Sequence, residues 1–168
     1  MSIIKKILFI IFTITFVSEV NAEEVKKMGT HKDWETYIIN SDTGRVCFAQ
    51  SKPVLQSPKN SPREARLFIS FRPGEKITNE ISVTAGYEFN NKNSVIAQSG
   101  KNKYKLDLIQ DGFAWMTGTK LEIKMIKTMK RGSRIMITGN TQTGSSTIDH
   151  YSLLGFTKAY NATKANCS

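Results

Sequence analysis

Apolar and polar residues alternate in short runs along most of the chain. Trp34, Thr36 and Ile38 interleave with Glu35, Tyr37 and Ile39, and a second run covers residues 45–50. Asp42-Thr43-Gly44 lies between them, so the two runs read as a hairpin. Residues 51–63 hold three of the four prolines (Pro53, Pro58, Pro62) and read as an exposed loop with little regular structure. Leu67, Ile69 and Phe71 mark one face of the next strand, which Pro73-Gly74 ends. Ile81, Val83 and Ala85 then oppose Glu80, Ser82 and Thr84. Period two with one wet face is the pattern of antiparallel sheet covered on one side. Asn90-Asn91-Lys92-Asn93 supplies a further turn, Tyr104, Leu106 and Leu108 alternate before Asp111-Gly112, and Ile135 and Ile137 complete the set before Gly139-Asn140. The expected fold is mainly β, an antiparallel β-sandwich or barrel-like sheet.

Two segments break the alternation and predict short helices packed on the sheet. In residues 119–131, Leu121, Met125, Ile126 and Met129 fall on one side at helical spacing, while Lys120, Lys124, Lys127 and Arg131 gather on the other. Gly132 follows as a C-cap, with Lys130 and Arg131 in the last turn, where the helix dipole favours cations. A strand through Leu121, Ile123 and Met125 is the competing reading. In residues 152–165, Ser152 stands at the N-cap position and Leu153, Phe156, Ala159 and Tyr160 share a face.

The first 33 residues follow a different logic. Lys5 and Lys6 precede an apolar run over residues 7–17, and Val20 and Ala22 are small residues spaced for cleavage. This is the layout of a secretory signal peptide over residues 1–22, with a flexible polar lead-in over 23–33 and one domain over 34–168. A transmembrane anchor needs about 20 apolar residues, and this run is about half that long. Cleavage leaves 146 of the 168 residues, and the formal charge falls only from +10 to +9. A domain of that size buries enough surface for a real core.

Export changes the meaning of the two cysteines and of the charge. In an oxidising space Cys47 and Cys167 read as a disulfide; the alternative is two unrelated thiols. The excess of 24 Lys+Arg over 14 Asp+Glu suggests nucleic acid, but a signal peptide removes the protein from it. What remains is the basic helix face, with Lys120, Lys124, Lys127, Lys130 and Arg131 as candidate contacts to an anionic envelope component, and Lys101, Lys103 and Lys105 as a second cluster. A solvated face is the alternative, and eighteen lysines against six arginines are what a biased base composition would give.

Catalytic chemistry finds no constellation. His150 has Asp149 beside it, but neighbours on a strand point to opposite faces. There is no His-x-x-x-His or Cys-x-x-Cys pair to start a zinc site, and Tyr160…Lys164 lacks the glycine-rich loop a dinucleotide would need. Glu75 and Glu80 are explained by a polar sheet edge. No metal, cofactor or catalytic residue is therefore expected.

The order of several short pieces is informative beyond their periodicity. They are Asp33-Trp34, the run Arg45-Val46-Cys47-Phe48-Ala49-Gln50-Ser51-Lys52-Pro53, Asn79-Glu80-Ile81-Ser82, and Ala85-Gly86-Tyr87-Glu88-Phe89. Ala114-Trp115, Met129-Lys130-Arg131-Gly132-Ser133, and the run Asp149-His150-Tyr151-Ser152-Leu153-Leu154-Gly155-Phe156 with Ala159 and Cys167 complete them. In this order and spacing, over about 135 residues, the chain resembles the invasion-associated locus B family of exported alphaproteobacterial proteins. Some members carry an additional cysteine just after the tryptophan; here Tyr37 and Ile38 stand in that region. The resemblance implies an exported, mainly β domain without an established enzymatic mechanism, linked in some pathogens to host-cell entry, and no catalytic residues to carry over. The expectation is a non-enzymatic envelope accessory protein that binds an anionic envelope component or another envelope protein. The alternative is a small-ligand carrier with a pocket lined by Trp115, Phe89 and Tyr104.

Overall fold

A computed structural model describes residues 24–41 and 44–167. The expected signal peptide (residues 1–22) and the Asp42-Thr43 turn lie outside the described residues. In chain order the elements are β1 (Val25–His31), β2 (Trp34–Ser41), β3 (Gly44–Ser51), β4 (Leu55–Ser57), β5 (Arg66–Arg72) and β6 (Ile77–Thr84). β7 (Val95–Ser99), β8 (Asn102–Leu106), β9 (Leu108–Gln110) and β10 (Phe113–Trp115) follow, then α1 (Thr119–Arg131), β11 (Arg134–Asn140), β12 (Ser146–Ser152) and α2 (Phe156–Asn166).

The strands form two open antiparallel sheets, so of the two expected arrangements the chain takes the sandwich. One has seven strands in the order β1-β2-β3-β5-β6-β10-β9, the other five in the order β4-β12-β11-β7-β8. Alternation decides what each contributes to the single core between them. Leu67, Ile69 and Phe71 of β5 and Ile81 and Val83 of β6 are buried, as are Val95 and Ala97 of β7 and Ile135 and Ile137 of β11. Trp34, fully buried, joins the layers: its indole N–H donates to the Ser152 carbonyl at 3.0 Å, and its ring packs 4.9 Å from Phe156 of α2. Among the described residues no helix is long and apolar enough to cross a membrane.

Several sequence expectations need correction. Residues 25–31, expected within a flexible lead-in, are strand β1, paired antiparallel to β2 from Val25↔Ile39 to His31↔Trp34. Its side chains are mostly exposed on both faces, so no hydrophobic period announces it. The proline-rich loop contains β4, which pairs with β12 through Gln56↔Asp149. The alternating run Tyr104-Leu106-Leu108 is not one strand. It breaks at Asp107, where the chain leaves the five-stranded sheet and joins the edge of the seven-stranded one, and Leu108 is 51% exposed. Gly139-Asn140 closes β11 as expected, but from within the strand as its last two residues, and the missing side chain of Gly139 makes room for Phe89 and Tyr87, which a Cβ would meet at 2.6 and 2.9 Å.

The second helix starts at Phe156 rather than Ser152. Gly155 is the cap residue, at φ +90°, and a Cβ there would lie 1.8 Å from the His31 carbonyl oxygen. Ser152 instead ends β12, and its hydroxyl accepts from the Leu154 N–H at 3.2 Å. The face Leu153, Phe156, Ala159 and Tyr160 is buried as expected.

Cys47 and Cys167 form a disulfide with Cα atoms 5.7 Å apart. Both are buried, and the bond joins the end of α2 to the middle of the seven-stranded sheet. Arg45 reinforces this junction by donating to the Asn166 carbonyl at 3.1 Å.

Candidate anion-binding groove

Helix α1 has the bounds its apolar period and terminal cations predict. Met125, Ile126 and Met129 are buried against the core, together with Glu122. Leu121, grouped with them by helical spacing, is 50% exposed, and Ile123 is 41% exposed. The reason is the neighbourhood: α1 lies on β6 and β8 through the side that carries Glu122, and Leu121 reaches only the rim of a small depression with Lys103 and Lys105.

The opposite face of α1 forms one wall of an open groove of about 740 Å³. Lys124, Lys127 and Arg131 line it from the helix, and Arg134 from the first residue of β11. The far wall is the β7–β8 turn, Ser99, Gly100 and Asn102. Two glycines permit this geometry. Gly100 takes φ +58° in the tight turn, and Gly132 lets the helix end pass close to Ser99, whose hydroxyl a Cβ would meet at 3.0 Å.

The polar groups at the groove floor are held in place. The Ser99 hydroxyl donates to the Arg134 carbonyl at 2.9 Å, and the Thr128 hydroxyl shares a 2.6 Å hydrogen bond with the Tyr104 hydroxyl of β8. The Gly132 N–H closes α1 on the Thr128 carbonyl at 2.9 Å. No carboxylate lines the groove. Among the described residues none of Lys124, Lys127, Arg131 and Arg134 takes part in an ion pair. Four cations converging without a counter-ion create a positive potential that the nearby α1 carbonyl end offsets only in part.

The structure sorts the sequence candidates. Lys124, Lys127 and Arg131 come together in the groove, whereas Lys120 is exposed on the first turn of α1 and is not part of its lining. Lys130 turns to the other side, its ammonium 3.8 Å from the centroid of the Tyr160 ring of α2. Burial there, with Lys164 nearby, holds its pKa below the usual lysine value. Lys101, Lys103 and Lys105 lie on the β7–β8 turn and on β8, an edge strand, but none of them lines the groove. The residues missed are Ser99, Asn102, Thr128 and Ser133. Gly100 is a signal that could have marked the turn, but only the tertiary fold brings that turn opposite α1.

The aromatic trio does not converge. Phe89 is buried with Tyr87 5.3 Å away, Tyr104 faces α1, and Trp115 is on the outward side of β10, stacked on Phe113 at 5.5 Å. Asp149 is buried and bound by Arg63 and Gln56, so it anchors the proline-rich loop to β12. The neighbouring His150 has a buried Nδ1 without a hydrogen-bond partner. Glu75 and Glu80 both bind Arg72, Glu80 through two contacts of 2.7 and 2.8 Å. No protein-family model, curated protein or solved structure matches the chain.

Proposed function

We propose that this chain is an exported, non-enzymatic accessory protein of the bacterial cell envelope that docks on a phosphate-bearing or otherwise anionic envelope component. The acidic patch of another envelope protein would satisfy the same chemistry. The observation that carries this reading is the groove itself: Lys124, Lys127, Arg131 and Arg134 line it without a carboxylate and, among the described residues, without ion-pair partners. Lysine supplies mobile point charges and arginine a planar fork that meets two oxygens of one phosphate, so the mixture suits a cluster of phosphoryl or carboxylate groups. The resemblance to the invasion-associated locus B family supports the exported setting, and host-cell entry would then be a downstream consequence of envelope binding.

The test is charge reversal. Each basic residue near an anionic surface contributes about 1 kcal/mol, so Lys124→Glu, Lys127→Glu and Arg131→Glu together should weaken binding to anionic phospholipid vesicles roughly 100-fold or more. Wild-type binding should also fall as salt rises, and the triple variant should leave the envelope fraction of cells. Equal partitioning of variant and wild type at low salt would refute the electrostatic reading.

A further inference from the structure

A second site lies on the other flank of α1, and its charges are of both signs rather than one. We propose that the groove beside Trp115 binds an uncharged oligosaccharide, with the outward aromatic row of the seven-stranded sheet as its continuation.

The row follows from strand alternation. Ile38, Cys47, Leu67 and Ala114 point into the core, so their neighbours Tyr37, Phe48, Phe68, Phe113 and Trp115 point outward from β2, β3, β5 and β10. Their ring centroids follow one another at 5.1, 6.1, 6.1 and 5.5 Å. β6 intervenes between β5 and β10, but the residue in register with both Phe68 and Trp115 is the small Ser82, over which the larger rings meet. All five rings are half-buried, and no element of the described chain covers them as a layer.

At its Trp115 end the row opens into a groove of about 420 Å³. Trp115 lines it together with Arg72, Lys76, Glu80, Gln110 and Glu122, so two basic side chains stand against two carboxyls. Arg72 is already held by Glu80 and Glu75, and at the far end of the row Lys27 is paired with Glu35. Glu122 is 7% exposed and accepts from the Ile81 N–H at 3.3 Å.

These features select among occupants by charge and by hydrogen-bonding shape. An anion would find Lys76 but would also meet Glu80, and the groove with four cations and no carboxylate lies elsewhere. A purely apolar partner would leave Arg72, Glu80 and Gln110 desolvated without replacement bonds, at a cost. A pyranose matches both halves. Its C–H face packs on an aromatic ring, whose π-face is partially negative, while its hydroxyls both donate and accept. Paired planar groups such as the Arg72–Glu80 fork and the Gln110 amide present donors and acceptors side by side, and no net charge has to be neutralised.

The chain's two tryptophans allow a direct test, because Trp34 is fully buried and Trp115 is not. Chitotetraose, cellotetraose and maltotetraose would each be titrated into the folded protein, with tryptophan emission and the indole N–H resonances as readouts. The expected result is a saturable change at Trp115 for at least one sugar, weakened about tenfold by Trp115→Ala and unaffected by Lys124→Glu with Lys127→Glu. That last arm separates this site from the anionic groove, so either can fail alone. If none of the three sugars perturbs Trp115, or if affinity survives Trp115→Ala, the proposal is overturned. It is also overturned if sedimentation shows a dimer that Trp115→Ala dissolves and sugar does not, since the face would then belong to a second copy. Should Trp115→Ala fail to fold, Gln110→Ala on the exposed rim must weaken binding, and unchanged affinity counts against the site.

Discussion

At the scale of single residues, the most informative side chain is a carboxyl where apolar residues would be expected. Glu122 sits on the buried face of α1, and burial pushes its pKa above the usual carboxylate value, with the Ile81 N–H pulling it down and Glu80 adding to the rise. The folded state therefore holds this proton more tightly than the unfolded chain does. Its stabilising contribution is complete below the unfolded value of 4.5 and is lost as pH climbs through the folded value. Glu122→Gln keeps an acceptor for Ile81 and never ionises. It should be more stable than wild type at about pH 7, with the gap narrowing toward about pH 4. Urea midpoints across that range are the check, and a gap that does not change with pH would contradict this titration. Other single residues decided structure in ways no local pattern reveals. Gly155 must be glycine because the His31 backbone, far away in sequence, occupies the place of a side chain. Without that contact in view, Ser152 looks like the better helix start.

At the scale of elements, what the sequence made legible is what is local. α1 carries its period, its terminal cations and its capping glycine within a few residues of one another, and its bounds are as expected. β9 and β10 have three residues each, too few to show a period, and β1 is wet on both faces. The two readings of residues 121–125 differ in energy as well as in shape. Met125 is fully buried and Leu121 half exposed, so Met125→Ala should cost about 2–5 kcal/mol and Leu121→Ala about 0.5 or less. Comparable losses at both positions in chemical denaturation would point back to a strand. The basic face of the helix could be read from spacing alone, but its conversion into a groove depends on a hairpin turn that arrives from another sheet. The aromatic row was hidden for the same reason. Its members are scattered from Tyr37 to Trp115, and only strand order and register align them.

For the whole molecule, the Cys47–Cys167 bond is the largest single constraint, and two cysteines in an expected export product were enough to anticipate it. In the chain-entropy model, closing 120 residues restricts the unfolded state by up to about 5 kcal/mol. Reduction should lower the urea midpoint by the equivalent of about 2–5 kcal/mol, and midpoints indifferent to reductant would show that the bond contributes nothing. The order of strands adds a kinetic consequence. The chain passes from one sheet to the other after β3, β4, β6, β8 and β10, so neither sheet is encoded by a contiguous stretch. A growing or emerging chain that has reached only β6 holds five partners of one layer and a three-residue fragment of the other. The fold can be completed only when nearly all of it is present, and the route there is governed by long-range pairing, the slow kind. Interleaving the layers in this way trades speed of assembly for a body that has no half able to come apart alone.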